Sequence, residues 1–329
     1  MKNPLRIFRN RKVGLALGSG GAKGLAHIAV FDYLAGLGIP VDIIAGSSIG
    51  AVVGSVYCSG KLKKFREEML SLTRKELLSV FDITMPRSGL LKGNDFIDFM
   101  KQYIPADTRI EDFDIPLAIV ATDFYAGKGV VFRSGNVLEA LRASISIPGV
   151  FVPVAYNDTF LVDGGVANPL PVDITKKLGA GFTIAVNLHP GLKISRVKKY
   201  VKSGAEKIGI DVFKEEEEFH EVDESKGVKI PVEKKPGAWM KNLEQWISTK
   251  NEKVEYPSIF EVLSQSIDIM EYANTTNLLK HYKPTVLIEP DLLSTGVLDF
   301  TDSYRIITEG FRACADKKNE LIRKVKFWI

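Results

Sequence analysis

Residues 46–50 read Gly46-Ser47-Ser48-Ile49-Gly50, a G-x-S-x-G sequence set between the apolar run DIIAG (42–46) and the helix-like run IGAVVGSVYCSG (49–60). At a strand-to-helix junction that spacing lifts the middle serine, Ser48, clear of the sheet as a nucleophile. Gly46 and Gly50 are needed because a side chain at either would collide with the preceding strand or the following helix. The N-terminus of the helix favours the negative charge of a tetrahedral intermediate, and the Ile49 amide is a natural oxyanion donor. An ordinary glycine-rich turn capped by serines has the same five residues, so the chemistry depends on partners elsewhere.

Two further stretches qualify. Gly18-Ser19-Gly20-Gly21-Ala22-Lys23-Gly24 follows the apolar run VGLALG (13–18) and precedes a helical pattern. Consecutive unhindered amides there make an anion nest. A dinucleotide fingerprint would need G-x-G-x-x-G and an acidic residue closing the second strand; here the spacing is one residue longer, and Asp42 opens that strand. A P-loop would need Ser or Thr after Lys23, where Gly24 stands. An oxyanion hole remains. Asp163-Gly164-Gly165 ends the apolar run FLVDGG (160–165), which puts a carboxylate on the strand edge where α/β sheets carry their sites. A triad in the order Ser, Asp, His would draw on His189, His220 or His281; His189 ends an apolar strand, His220 lies in a charge run, and His27, one turn into the first helix, reads as a packing or loop-positioning residue.

The elements that must hold these residues are legible in the periodicity. VGLALG, DIIAG, PLAIVATD (116–123), GVVFRSG (129–135), FLVDGG, FTIAVNL (182–188) and PTVLIEP (284–290) read as strands. Helices are expected at 24–38 and 49–60, in amphipathic pieces between Leu62 and Tyr103, at 136–149 with Asn136 as N-cap and Pro148 as stop, from near Pro171, at Ile259–Tyr272, and at Ser303–Val325 as one long final helix. Strand, loop, helix, strand, turn, helix opens a parallel sheet, so the expected fold is α/β with a mostly parallel central sheet flanked by helices.

The 329 residues carry a net charge of +4, too mild for a dedicated nucleic-acid binder, and no nucleic-acid partner is expected. Cys58 and Cys314 have no metal-ligand spacing, which predicts neither disulfide nor zinc. The basic N-terminal tail, residues 1–12, lacks the apolar stretch of a signal peptide, and no run is long enough to span a bilayer; a cytoplasmic protein is expected. Arg6, Arg9, Arg11 and Lys12 among Leu5, Ile7 and Phe8, with Arg323, Lys324, Lys326, Phe327 and Trp328 at the other end, have the composition of peripheral anchors for an anionic membrane surface. Residues 190–255, with the run KEEEEFHEVDESKG and with Trp239 and Trp246, read as a charged insertion in a single domain spanning 13–329, either a lid or a linker.

The glycine loop, the G-x-S-x-G and the later Asp-Gly-Gly together resemble the patatin-like phospholipase family, as do ALRASISIPGVFVPV and VDGGVANPLPVD. The resemblance implies a three-layer α/β/α fold and a serine–aspartate dyad that cleaves phospholipid or other acyl-ester lipids through an acyl-enzyme, with no metal and no cofactor. It carries the nucleophile to Ser48, the base to Asp163, the oxyanion donors to the Gly20 and Gly21 amides, and Lys23 to a position where the family has lysine or arginine. Ser19 departs from the family's usual glycine. A carboxylate of ordinary pKa, about 3.9, is a weak base for a hydroxyl, so desolvation of Asp163 and a short bond to Ser48 are expected. A lipid-binding regulator without turnover and a lipid acyltransferase remain alternatives.

Overall fold

The computed structural model describes residues 12–71, 73, 76, 91–192 and 258–326. Eight strands form one sheet: β1 (Lys12–Leu17), β2 (Ile43–Ser47), β3 (Leu117–Asp123), β4 (Lys128–Phe132), β5 (Val154–Tyr156), β6 (Thr159–Asp163), β7 (Ala180–Val186) and β8 (Val286–Ile288). Their spatial order is β5-β6-β3-β2-β1-β7-β8, with β4 also paired to β3. β1, β2, β3, β7 and β8 run parallel; β4 and β6 each pair antiparallel with β3, and β5 pairs antiparallel with β6.

Alternation along the central strands sorts side chains by size. Leu15, Leu17, Ile44, Ile119, Ile184 and Val186 share one core cluster, whereas Ala16, Ala45, Ala118, Val120 and Ala185 face the other way. The bulky face belongs to a core shared with α1 (Ala26–Gly36), α2 (Ile49–Cys58) and further helices introduced below, and hydrophobic burial there is worth about 1.5–3 kcal/mol per large side chain. The alanine face lets the short helix that follows Pro171 come close, through Val172 and Ile174. Helices on both faces of a mostly parallel sheet make a three-layer α/β/α fold.

The remaining helices are α3 (Leu62–Ser71), α4 (Asn94–Met100), α5 (Val137–Ser144), α6 (Val172–Lys177), α7 (Ile259–His281), α8 (Ser303–Asp316) and α9 (Lys318–Lys326). α3, α4, α5, α8 and α9 join that core with Phe65, Met100, Leu141, Ile306 and Leu321. The Asn136 side chain caps α5 by accepting from the Glu139 amide at 3.1 Å. Four expectations shift. β5 is an addition, three residues long and too exposed to show in the apolar pattern. α5 ends at Ser144, before Pro148. α7 runs on to His281. The final helix is two: the Lys317 amide bonds Cys314 three residues back, tightening the turn and breaking the axis.

Residues 1–11 and 193–257, holding most of the basic tail and of the charged insertion with His220, Trp239 and Trp246, lie outside the described residues. Lys324, counted among the C-terminal anchors, is committed inward: its ammonium donates to the Thr285 carbonyl and to Glu320, each at 2.6 Å.

Candidate active site

β2 delivers Ser48 to a turn it can occupy only under strain. Its φ of 53° and ψ of −124° are rare for a residue with a side chain, a backbone state that costs about 1–3 kcal/mol. The neighbouring glycines make room. A Cβ on Gly46 would stand 2.5 Å from the Ala51 nitrogen, and one on Gly50 2.3 Å from the Leu17 carbonyl oxygen. Gly50→Ala is therefore expected to lower stability by about 1–3 kcal/mol through backbone displacement, read as a reduced urea midpoint; an unchanged midpoint would show the elbow to be slack.

From the far side of β3, β6 brings Asp163. The Ser48 hydroxyl donates to Asp163 Oδ2 at 2.5 Å, and the Gly165 amide donates to Oδ1 at 2.7 Å. Ser48 and Asp163 are each 4% exposed. Burial is the main reason the Asp163 carboxyl is pushed up to about 7; the nearby Glu271 carboxylate pushes the same way, against the Ser48 hydroxyl, the Gly165 amide and His189. Gly164 must be glycine for its own reason: a Cβ would meet the Val120 carbonyl at 2.2 Å.

The glycine loop wraps the other side. The Gly18, Ser19, Ala22 and Lys23 amides are spent on the carbonyls of Val186, Pro169, Val297 and Gly20. Between them, Gly20 at φ 146° and Gly21 at φ 55° line the cavity into which Ser48 and Asp163 open. Among the described residues, neither the Gly20 nor the Gly21 amide donates to a backbone carbonyl, and the same is true of Ile49. Ile49 packs so closely on the loop that a Cβ at Gly24 would lie 2.2 Å from it. His27 fixes the loop from behind: burial holds its pKa down near 4, so the ring is neutral and Nε2–H donates to the Gly18 carbonyl at 2.8 Å.

Three residues enter that the motifs did not name. Ser144, at the end of α5, accepts the Ser48 amide at 2.9 Å and donates to the Val120 carbonyl at 2.6 Å, tying the elbow to β3. Glu271 and Asp268 come from α7. Glu271 lines the cavity with Ser48 and Asp163. His189 does not meet Ser48; its Nε2 lies 2.9 Å from Glu271 Oε2 and 3.3 Å from Asp268 Oδ1, with the ring N–H aligned on neither. Burial works against the imidazolium, but the two carboxylates outweigh it and its pKa lies above the ordinary value. His189, Asp268 and Glu271 are the one such group among the described residues close enough to share a cation. Lys23 is buried beside this group, with its ammonium 3.4 Å from Asp268 Oδ1.

A serine on a strand–helix turn, bonded to a carboxylate from a neighbouring strand of an α/β/α sheet, defines the serine-hydrolase class of architecture. Residues 15–176 match the family model described as Patatin-like phospholipase. An uncharacterized NTE family protein of Mycobacterium tuberculosis is 31% identical over 331 residues, 94% of this chain and 91% of that one. The Lysophospholipase NTE1 of Scheffersomyces stipitis is 38% identical over 191 residues, 56% of this chain and 12% of the fungal protein. Neuropathy target esterase sws of Drosophila melanogaster is 34% identical over 190 residues, with coverage of 56% and 13%. The chain belongs to the patatin-like phospholipase family.

Proposed function

We propose that the protein is a lipid acyl hydrolase in which Ser48 is the nucleophile and Asp163 the general base. The observation that carries this reading is the 2.5 Å bond from the Ser48 hydroxyl to a buried aspartate, opening into a cavity walled by Ile147, Val150, Val166, Leu263, Ile267 and Val297. An apolar wall suits an acyl chain, and the relatives named for lysophospholipase and esterase activity support the same class of substrate.

Asp163 takes the hydroxyl proton as Ser48 attacks the ester carbonyl, forming the Ser48–carbonyl bond. The negative charge moves to the former carbonyl oxygen, which the Gly20, Gly21 and Ile49 amides receive; each such donor is worth about 10²–10³ in rate. Collapse expels the alcohol with the proton from Asp163. Water then repeats the sequence on the acyl-enzyme and releases the fatty acid. Because the base must be ionised, hydrolysis is expected to rise with pH through about 7 and level off above it. A rate flat between pH 5 and 8 on an ester with rate-limiting acylation would remove Asp163 from this role.

No helix among the described residues is long and apolar enough to cross a membrane; we read approach to the lipid as peripheral, favoured at an anionic surface by the basic residues near both ends. The test is incubation with anionic and zwitterionic vesicles containing diacyl and monoacyl phospholipid, with mass spectrometry of what is released and sedimentation of the vesicles. Free fatty acid is the expected product, with more protein pelleted on anionic vesicles. Bound lipid with no product would identify a binding protein, and an acyl group moved onto an added alcohol would identify a transferase.

A further inference from the structure

α7 contributes a second buried carboxylate to the dyad's surroundings. Glu271 is 5% exposed, and its Oε1 rests against Gly165, where a Cβ would stand only 1.9 Å away. The Gly165 amide meanwhile donates to Asp163 Oδ1. One glycine is thus flanked by both carboxylates, and its missing side chain is what admits the second. Such an approach between buried groups is unfavourable unless one charge is compensated. Compensation comes from the other side of Glu271, where His189 sits between it and Asp268, with Lys23 beyond.

We propose that Glu271, paired with His189, is a positioning residue whose carboxylate tunes Asp163 to accept the Ser48 proton. This rests on the reading of Asp163 as the base. The arrangement solves the problem a dyad poses, since a lone aspartate is a poor base and no imidazole touches the serine. Burial does most of the raising, and the second carboxylate beside Asp163 adds to it. The other charged groups around Asp163 do not take that place. Asp268 lies behind His189; Lys23 faces Asp268; and Arg142, from α5, is turned to the Lys92 and Val152 carbonyls and the Ser146 hydroxyl. His27 is neutral against Gly18.

A buried ion pair that only staples α7 to the sheet would have different consequences, and a pH profile separates the two. The rate of Ser48 modification by a fluorophosphonate is measured from pH 4.5 to 9 for the wild type, Glu271→Gln, His189→Asn and Asp163→Asn, with each variant's fold checked by thermal unfolding. Glu271→Gln is expected to move the acid limb to lower pH by about one unit, the scale of one neighbouring charge, with a reduced plateau. His189→Asn leaves Glu271 without its cation, so two carboxylates share a proton and the limb spreads into two steps. If Glu271→Gln does not fold, the His189→Asn profile decides. An acid limb that stays in the wild-type position in the folded variants, with Asp163→Asn inert, overturns this inference and leaves the dyad standing. A wild-type profile in Asp163→Asn overturns the dyad and the inference with it.

Discussion

Ser48→Ala is expected to lower ester hydrolysis by at least about 10⁴-fold and to abolish fluorophosphonate labelling, while the protein stays folded. Alanine keeps the Cβ, so the strained turn at φ 53° and the Ser144 bond to the residue-48 amide are retained. What disappears is the oxygen that forms the bond to carbon. Asp163 loses the hydroxyl that favoured its charged form and is left with the Gly165 amide, so the buried carboxyl becomes easier to protonate, which a buried site tolerates. Ser47→Ala is the internal control. The Ser47 hydroxyl is buried, has no hydrogen-bond partner among the described residues and points toward Gly164, so removing it should leave activity within a few-fold of wild type. Hydrolysis retained in Ser48→Ala, or lost in Ser47→Ala alone, would reassign the nucleophile.

Sequence reading reached the elements that end in chemistry and missed those that only approach it. The apolar runs ending at Gly18, Gly46 and Gly165 name their own strands, because a buried strand is continuous in hydrophobicity and its catalytic turn must be glycine-rich. The elbow was legible for the same reason: close backbone approach at Gly46 and Gly50 forbids every larger residue. Ser144 was half legible, inside the stretch ALRASISIPG, but nothing local says that its hydroxyl turns to the Ser48 amide. Glu271 was not legible at all from motifs. Its signal is a polar stripe, Asp268, Glu271 and Thr275, along one side of α7, with Glu271 and Thr275 buried. On a helix predicted to end at Tyr272, such a stripe reads as a solvated face; only the fold shows that it packs on His189 and Gly165. The final helix failed differently, since a one-residue tightening at Lys317 leaves the amphipathic period on each side intact.

Asp163→Asn should separate catalysis from stability. Asparagine is nearly isosteric and its side-chain oxygen can keep accepting from Gly165, but an amide cannot take a proton from Ser48, and a fall of about 10³–10⁴ in kcat/KM is expected. The effect on folding runs the other way. The Asp163 carboxyl has a native pKa of about 7 against an unfolded value near 3.8. Between those values the folded chain holds a proton that the unfolded chain has released, so the wild type loses stability as pH rises through this window, and above 7 the penalty is fully present. Asparagine carries no such penalty. At pH 8 the variant should melt at the same or a higher temperature than wild type, with the gain on the order of a few kcal/mol at most. At pH 4, where the wild-type carboxyl is already neutral, the difference should shrink or vanish. A variant that is inactive and also less stable at pH 8 than at pH 4, relative to wild type, would mean that Asp163 is held mainly for structure. One that is inactive and more stable would mean that the fold maintains a buried, ionisable carboxylate beside Ser48 against its own stability, as a base requires.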